Sequence, residues 1–69
     1  MLSEYLKSVS HDYDVSFRND AERKWLIVTV TKGFLYRECV LSYQHLTDEN
    51  YIICAIEKTI QAIDAALNR

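Results

Sequence analysis

Residues 47–69 read TDENYIICAIEKTIQAIDAALNR. Ile52, Ile56, Ile60, Ile63 and Leu67 recur at steps of four, four, three and four, the spacing of one face of an α-helix. Ile53, Ala55, Thr59, Ala62 and Ala66 widen this stripe, and Glu57, Lys58, Gln61, Asp64, Ala65 and Asn68 supply the wet side. Neither Gly nor Pro interrupts the run. The spacing predicts a helix over 47–69, with Thr47 as its N-cap because the hydroxyl can accept an N–H of the first turn. Asp48 and Glu49 then sit where the helix dipole favours negative charge. Leu46 and Tyr51 occupy the two positions of a hydrophobic staple, and Asn50 stands where a capping-box Glu would be. Such a stripe must be covered, so the rest of the chain is read as its cover.

Before the helix, three segments read as strands. Phe34 to Gln44 is one. Lys24 to Thr31 is another, and its Trp25, Leu26, Ile27, Val28 and Val30 place apolar groups on both faces, as in a central strand. Tyr13 to Arg18 alternates, with Tyr13, Val15 and Phe17 opposite Asp14, Ser16 and Arg18, the pattern of a half-buried strand. Asn19 to Arg23 is a polar loop. Leu2 to Val9 reads as a helix of about two turns, too short to persist undocked. The expected fold is α+β, in the order α-β-β-β-α, with a three-stranded antiparallel meander packed against the long C-terminal helix. The whole chain, 1–69, reads as one domain.

The turn at Lys32-Gly33 holds the only glycine. A two-residue loop would make Thr31 face Phe34. It would place Leu26, Val28 and Val30 with Leu35, Arg37, Cys39 and Leu41, and leave Trp25, Ile27, Thr29, Phe34, Tyr36, Glu38 and Val40 on the other face. A three-residue loop with Gly33 in a left-handed bulge would swap the partners of strand 3, and turn chemistry favours it because Lys32 is then spared a positive φ. In either register both faces keep large apolar groups. One helix layer can cover only one of them.

Composition narrows the function. The chain has 69 residues, 49% of them hydrophobic, and a net charge of −2. Domains this small are marginal without help from disulfides, metal or association. Five Tyr and one Trp add to the apolar load, and such rings are favoured at interfaces. Charges of both signs are interspersed, unlike the basic patch of a nucleic-acid binder. No apolar run approaches a membrane span, and the start of the chain lacks the n-region and h-region of a secretory signal. A cytoplasmic location without membrane attachment is expected.

Chemistry is hard to find. His11, Cys39, His45 and Cys54 are the only soft or borderline ligands, and they form no paired unit of the kind that builds a zinc site. The two cysteines read as buried reduced thiols, and a disulfide would require their backbones to lie within about 7 Å. Cys54 with His45 could be imagined as nucleophile and base, but a thiol in the apolar sector of the helix would be inert. One glycine makes no phosphate-binding loop, and a chain this short leaves little room for a small-molecule pocket. Neither an enzyme nor a cofactor is expected.

The element order is shared with double-stranded-RNA-binding domains, which place lysines at the start of the last helix. Here that place reads Thr47-Asp48-Glu49-Asn50, the wrong sign for phosphate. A three-stranded sheet can also enter a DNA groove, with Arg18, Arg23, Lys24, Lys32 and Arg37 near Trp25 and Tyr36. Asp14, Asp20, Glu22 and Glu38 are interleaved with those cations. The reading favoured by the residues is a non-enzymatic protein-interaction module, a small inhibitor or regulator that occupies another macromolecule's surface and also forms a homodimer. Nucleic-acid binding through the sheet is the alternative. Trp25, Phe34, Tyr36 and Arg37 are the candidate interface residues, with Trp25 and Tyr36 as anchors because large desolvated rings dominate binding energy.

Overall fold

The computed structural model describes residues 2–68. Helix α1 (Leu2–Val9) is followed by strands β1 (Asp14–Asp20), β2 (Trp25–Lys32) and β3 (Leu35–Ser42), a single 3₁₀ turn at Tyr43–His45, and helix α2 (Glu49–Leu67). The strands form an antiparallel meander in the order β1-β2-β3. This is the α+β architecture the sequence predicts. Strand 3 stops at Ser42, two residues before the predicted end, where the 3₁₀ turn starts the path toward α2. The expected helix end at Arg69 lies outside the described residues.

The core is a single layer between α2 and one face of the sheet. Val28, Val30 and Leu41 from the strands meet Ile52, Ile56 and Ile63 from the helix, all nearly or completely shielded from water. Each such side chain contributes about 1.5–3 kcal/mol on leaving water. Thr59 is buried among them, and its hydroxyl donates to the Ala55 carbonyl at 2.9 Å, so no polar group is stranded there. Leu67, expected in the stripe, is 49% exposed. Leu2, Tyr5 and Leu6 of α1 close one side of the layer, as do Tyr13 and Val15. The Cα trace measures 35 × 25 × 15 Å, and the short axis holds one helix layer over one sheet and nothing more. Its radius of gyration is 12.1 Å, against roughly 11 Å for a rounder chain of this length. The excess is that of a flat, two-layer body.

Register settles the β2–β3 hairpin. Lys32 pairs with Leu35 and Thr31 with Tyr36, so the two loop residues are Gly33 and Phe34. Gly33 has φ +63° at the first central position, where a type II′ turn takes glycine. The bulged three-residue loop is thus absent, and the two-residue loop begins one residue later than Lys32. A shift of both loop residues by one preserves the facing parity of the two-residue reading. Leu26, Val28 and Val30 do share a face with Leu35, Arg37, Cys39 and Leu41. The β1–β2 turn holds a left-handed residue that the sequence does not announce, Lys24 at φ +57°. Glycine or asparagine is the usual occupant of that region. Asp20 secures this turn by accepting from the Arg23 backbone N–H at 3.3 Å and from its guanidinium at 3.1 Å.

The helix N-cap is Asp48, not Thr47. Its Oδ1 accepts from the Tyr51 N–H at 3.2 Å, and its carbonyl accepts the first helical bond, from Ile52, at 3.2 Å. A carboxylate adds favourable charge at the dipole's positive end, which a hydroxyl cannot. Moving the cap by one residue also removes the Leu46–Tyr51 staple: the Tyr51 ring instead stacks on His45, centroids 4.0 Å apart. Near the other end of α2, the Tyr13 hydroxyl donates to Asp64 Oδ1 at 2.5 Å, joining the entry of β1 to the helix. Lys32 Nζ lies 4.6 Å from the centroid of the same Tyr13 ring.

Two measurements check these contacts. Asp48→Ala should cost about 1 kcal/mol, a fall in Tm of about 4–8 °C for a domain of this size, while Thr47→Ala stays within about 0.5 kcal/mol. Equal losses for the two would return the cap to Thr47. The hydrogen bond to Asp64 pushes the Tyr13 phenol up to about 12, above its unfolded value of about 10. A group whose folded pKa is raised contributes stability that is complete below pH 10 and lost as pH climbs toward 12. Thermal melts from pH 9 to 12 should show a steeper alkaline decline for the native chain than for Tyr13→Phe; parallel declines would mean that the clasp does not form.

Candidate interaction surfaces

Strand alternation sorts the polar and apolar groups of the sheet. The face turned away from α2 carries Trp25, Ile27, Thr29 and Thr31 from β2, and Tyr36, Glu38, Val40 and Ser42 from β3. Asp14, Ser16, Arg18 and Asp20 lie beside them on β1. Ile27 sits opposite Val40, and Trp25 and Tyr36 lie at the two ends of the β2–β3 pair. Val40 is 50% exposed, Tyr36 60% and Trp25 38%. Trp25, Ile27 and Val40 form a short apolar stripe that no element among the described residues covers, and the Thr29–Glu38 pair separates it from Tyr36. The β1 side of the same face is wholly polar. The uncovered face is thus half oily and half wet, more polar than the sequence reading had it. Two contacts tidy it: Thr29 Oγ1 donates to Glu38 Oε2 at 3.3 Å, and the Arg23 guanidinium carbon lies 5.5 Å from the Trp25 ring centroid.

The four candidate interface residues separate into three places. Trp25 and Tyr36 share the uncovered face, as parity requires. Phe34 stands at the hairpin tip and is fully exposed. Arg37 pairs with Val30 and so projects to the helix side, where its Nη1 donates to the Tyr36 carbonyl at 2.7 Å. It belongs to a different surface from the two aromatic anchors.

That second surface is a groove of about 490 Å³ between β3 and the outer flank of α2. Its strand wall includes Arg37 and Cys39, and its helix wall includes Tyr51, Cys54, Ala55 and Lys58. Cys39 is half-buried and Cys54 exposed, both as free thiols. The expectation of two buried thiols therefore fails for Cys54. It stands two residues along from Ile52 and two before Ile56, so a turn of about 100° per residue carries it away from the core. The groove is an open surface concavity. The sequence signal that could have found the groove is the run of small residues at 54, 55, 59 and 62, which keeps the flank of α2 shallow.

Among the described residues, no three His, Cys, Asp or Glu side chains gather into a metal-binding group. None of their helices is long and apolar enough to cross a membrane. Tyr5, packed where α1 meets α2, has its phenol pushed upward by burial and by the nearby Glu57 carboxylate, with a smaller contribution from Cys54. Comparison with protein-family models, curated proteins and solved structures finds no match to this chain.

The exposure difference predicts an order of thiol reactivity. Under native conditions iodoacetamide should modify Cys54 faster than Cys39, and Cys54→Ser should leave a single, slowly reacting thiol. Faster labelling of Cys39, read by peptide mass mapping, would contradict the placement of Cys54 on the outer flank of α2.

Proposed function

We propose that this chain is a non-enzymatic protein-interaction module, a small inhibitor or regulator that acts by occupying the surface of another protein. The observation that supports this is the Trp25–Ile27–Val40 stripe on the uncovered sheet face, with the Tyr36 ring exposed beyond the Thr29–Glu38 pair. Contiguous exposed apolar groups with a polar rim are a common sign of a binding surface. Trp25 is the proposed anchor, being large and already held by Arg23, so little rotamer freedom is left to lose on binding.

Dimensions refine the reading. Eight-residue strands at about 3.3 Å per residue and three strands at about 4.8 Å spacing give a footprint of roughly 26 by 14 Å. A stable interface takes about 800 Å² of accessible surface from each partner. The stripe alone is small for that, so the proposed contact extends onto the rim and toward the Phe34 tip. Self-pairing through the same stripe, giving a homodimer, is the finer form of the proposal and would be weak and concentration-dependent for the same reason.

Charge speaks against nucleic acid. Within the strands, the uncovered face carries one cation, Arg18, and three acids, Asp14, Asp20 and Glu38. Arg23 is engaged by Asp20, and Lys32 and Arg37 project to the helix side. Phosphate recognition requires the opposite balance.

Affinity capture from source cells, with native-mass measurement of the captured complex, tests the reading. The chain should retain a protein partner in fixed stoichiometry. Trp25→Ala should weaken retention by about 2 kcal/mol or more, roughly thirtyfold, while Gln61→Ala on the wet side of α2 leaves it intact. Retention indifferent to Trp25, or salt-sensitive retention of nucleic acid in place of protein, would overturn the proposal.

A further inference from the structure

We infer that the groove between β3 and α2 binds an extended, acidic segment of a protein partner, which adds to the sheet as a fourth strand beside β3. This surface is distinct from the uncovered face, and the inference stands whether or not that face binds anything.

Four observations carry it. First, β3 is an edge: with the order β1-β2-β3 it pairs only with β2, so its outer N–H and C=O groups lack strand partners among the described residues, and the Tyr36 carbonyl, which accepts from the Arg37 guanidinium, must be released by that side chain when a strand adds. Its pairing with β2 runs without a bulge from Trp25↔Ser42 to Lys32↔Leu35, and β3 contains no Pro. Two of the usual devices that blunt an edge against strand addition are therefore missing.

Second, the groove lies directly beside this edge and has room for side chains, at about 490 Å³. Its walls from Tyr51 to Ala62 on α2 span about 16 Å at 1.5 Å per residue. That length matches about five residues of extended chain at 3.3 Å each. A strand bonded to β3 would send alternate side chains into such a groove, the division of labour seen when peptides augment sheets.

Third, the groove is basic on a chain that is acidic overall. Arg37 and Lys58 both line it, and neither is in an ion pair; the single ion pair among the described residues is Arg23–Asp20. Glu38 also borders the groove, but its carboxylate is turned to the other face, where it accepts from Thr29. Acidic side chains of an added strand would meet two cations without a competing carboxylate.

Fourth, a second copy fits this groove poorly. Two-fold antiparallel pairing of β3 with itself centred on Arg37 or on Glu38 sets like charges directly opposite, which is destabilising. Any such two-fold also brings the basic flank of each copy toward the other. A heterologous acidic strand meets neither obstacle.

The test selects short linear peptides from a random displayed library against the immobilised full chain, then titrates the strongest as a synthetic peptide by NMR. The expected result is enrichment of Asp or Glu at alternate positions among β-prone residues, with shifts and slowed exchange at the amides of 35–42. Arg37→Gln and Lys58→Gln, both at exposed positions, should each weaken binding by roughly twofold to fivefold, as solvent-accessible charge pairs do. Trp25→Ala should leave the affinity unchanged. Backbone N-methylation of the peptide at alternate residues should abolish binding.

The inference is overturned by enrichment without acidic bias, by binding that survives N-methylation, or by binding that responds to Trp25→Ala and not to Lys58→Gln. Failure to select any peptide, or a stable dimer of the chain with β3 protected in its absence, overturns it equally. Peptide binding that responds to Trp25→Ala would place the peptide on the uncovered face; the other outcomes do not bear on capture there.

Discussion

Everything in this fold depends on Ile52, Ile56 and Ile63 of α2 lying on Val28, Val30 and Leu41 of the sheet. An α1 of two turns could not persist by itself in water, and the apolar face of a three-stranded meander needs a cover. The single helix of 19 residues supplies that cover. Removing the Ile56 side chain would cost about 2–5 kcal/mol, a large share of what a small domain has. The other fixed points, the Asp48 cap and the Tyr13–Asp64 hydrogen bond, hold α2 in position at its two ends. They are best understood as setting where the isoleucines land.

That seat has a geometric consequence. One helix can cover one face of a sheet, and α2 lies over β2 and β3, with α1 reaching β1. Phe17, on the helix side of β1 but beyond the half-buried Val15, remains 46% exposed. The other face is left to solvent, and so is the outer edge of β3. Among the described residues, no further element closes either. Both proposed binding surfaces are therefore what remains once the core has been made, rather than structures added to it.

Much of this was legible in the residues. The 3.6-residue period of 52–67 and the two-sided apolar pattern of 25–30 are strong signals, and together they dictate helix on meander. What could not be read depended on one-residue choices. Thr47 and Asp48 are both good caps, and the choice turns on which backbone conformation the preceding 3₁₀ turn delivers. For the hairpin, turn chemistry favours a three-residue loop with Gly33 in a bulge over a Lys32-Gly33 loop, and the structure takes neither: the loop is Gly33-Phe34, with glycine at the first central position. Cys54, expected to be buried, is exposed. It belongs to the boundary between the core stripe and the wet side, where a helix period gives a direction but not the distance to the neighbouring element. The groove is a property of that distance: the small residues at 54, 55, 59 and 62 mark a shallow helix flank, but no period fixes how far the strand lies from it.

The functional account follows from a platform that presents an oily stripe and a basic-lined edge. Its central claim is that one helix-on-sheet contact layer holds the whole platform together without a partner. Native-state amide hydrogen exchange on the isolated chain tests this most directly. The account predicts that the amides of Val28, Val30 and Ile56 open with one common free energy, equal to that of global unfolding. It is contradicted if α2 amides exchange through a much cheaper opening while those of β2 stay protected, because the sheet would then persist without the helix said to hold it.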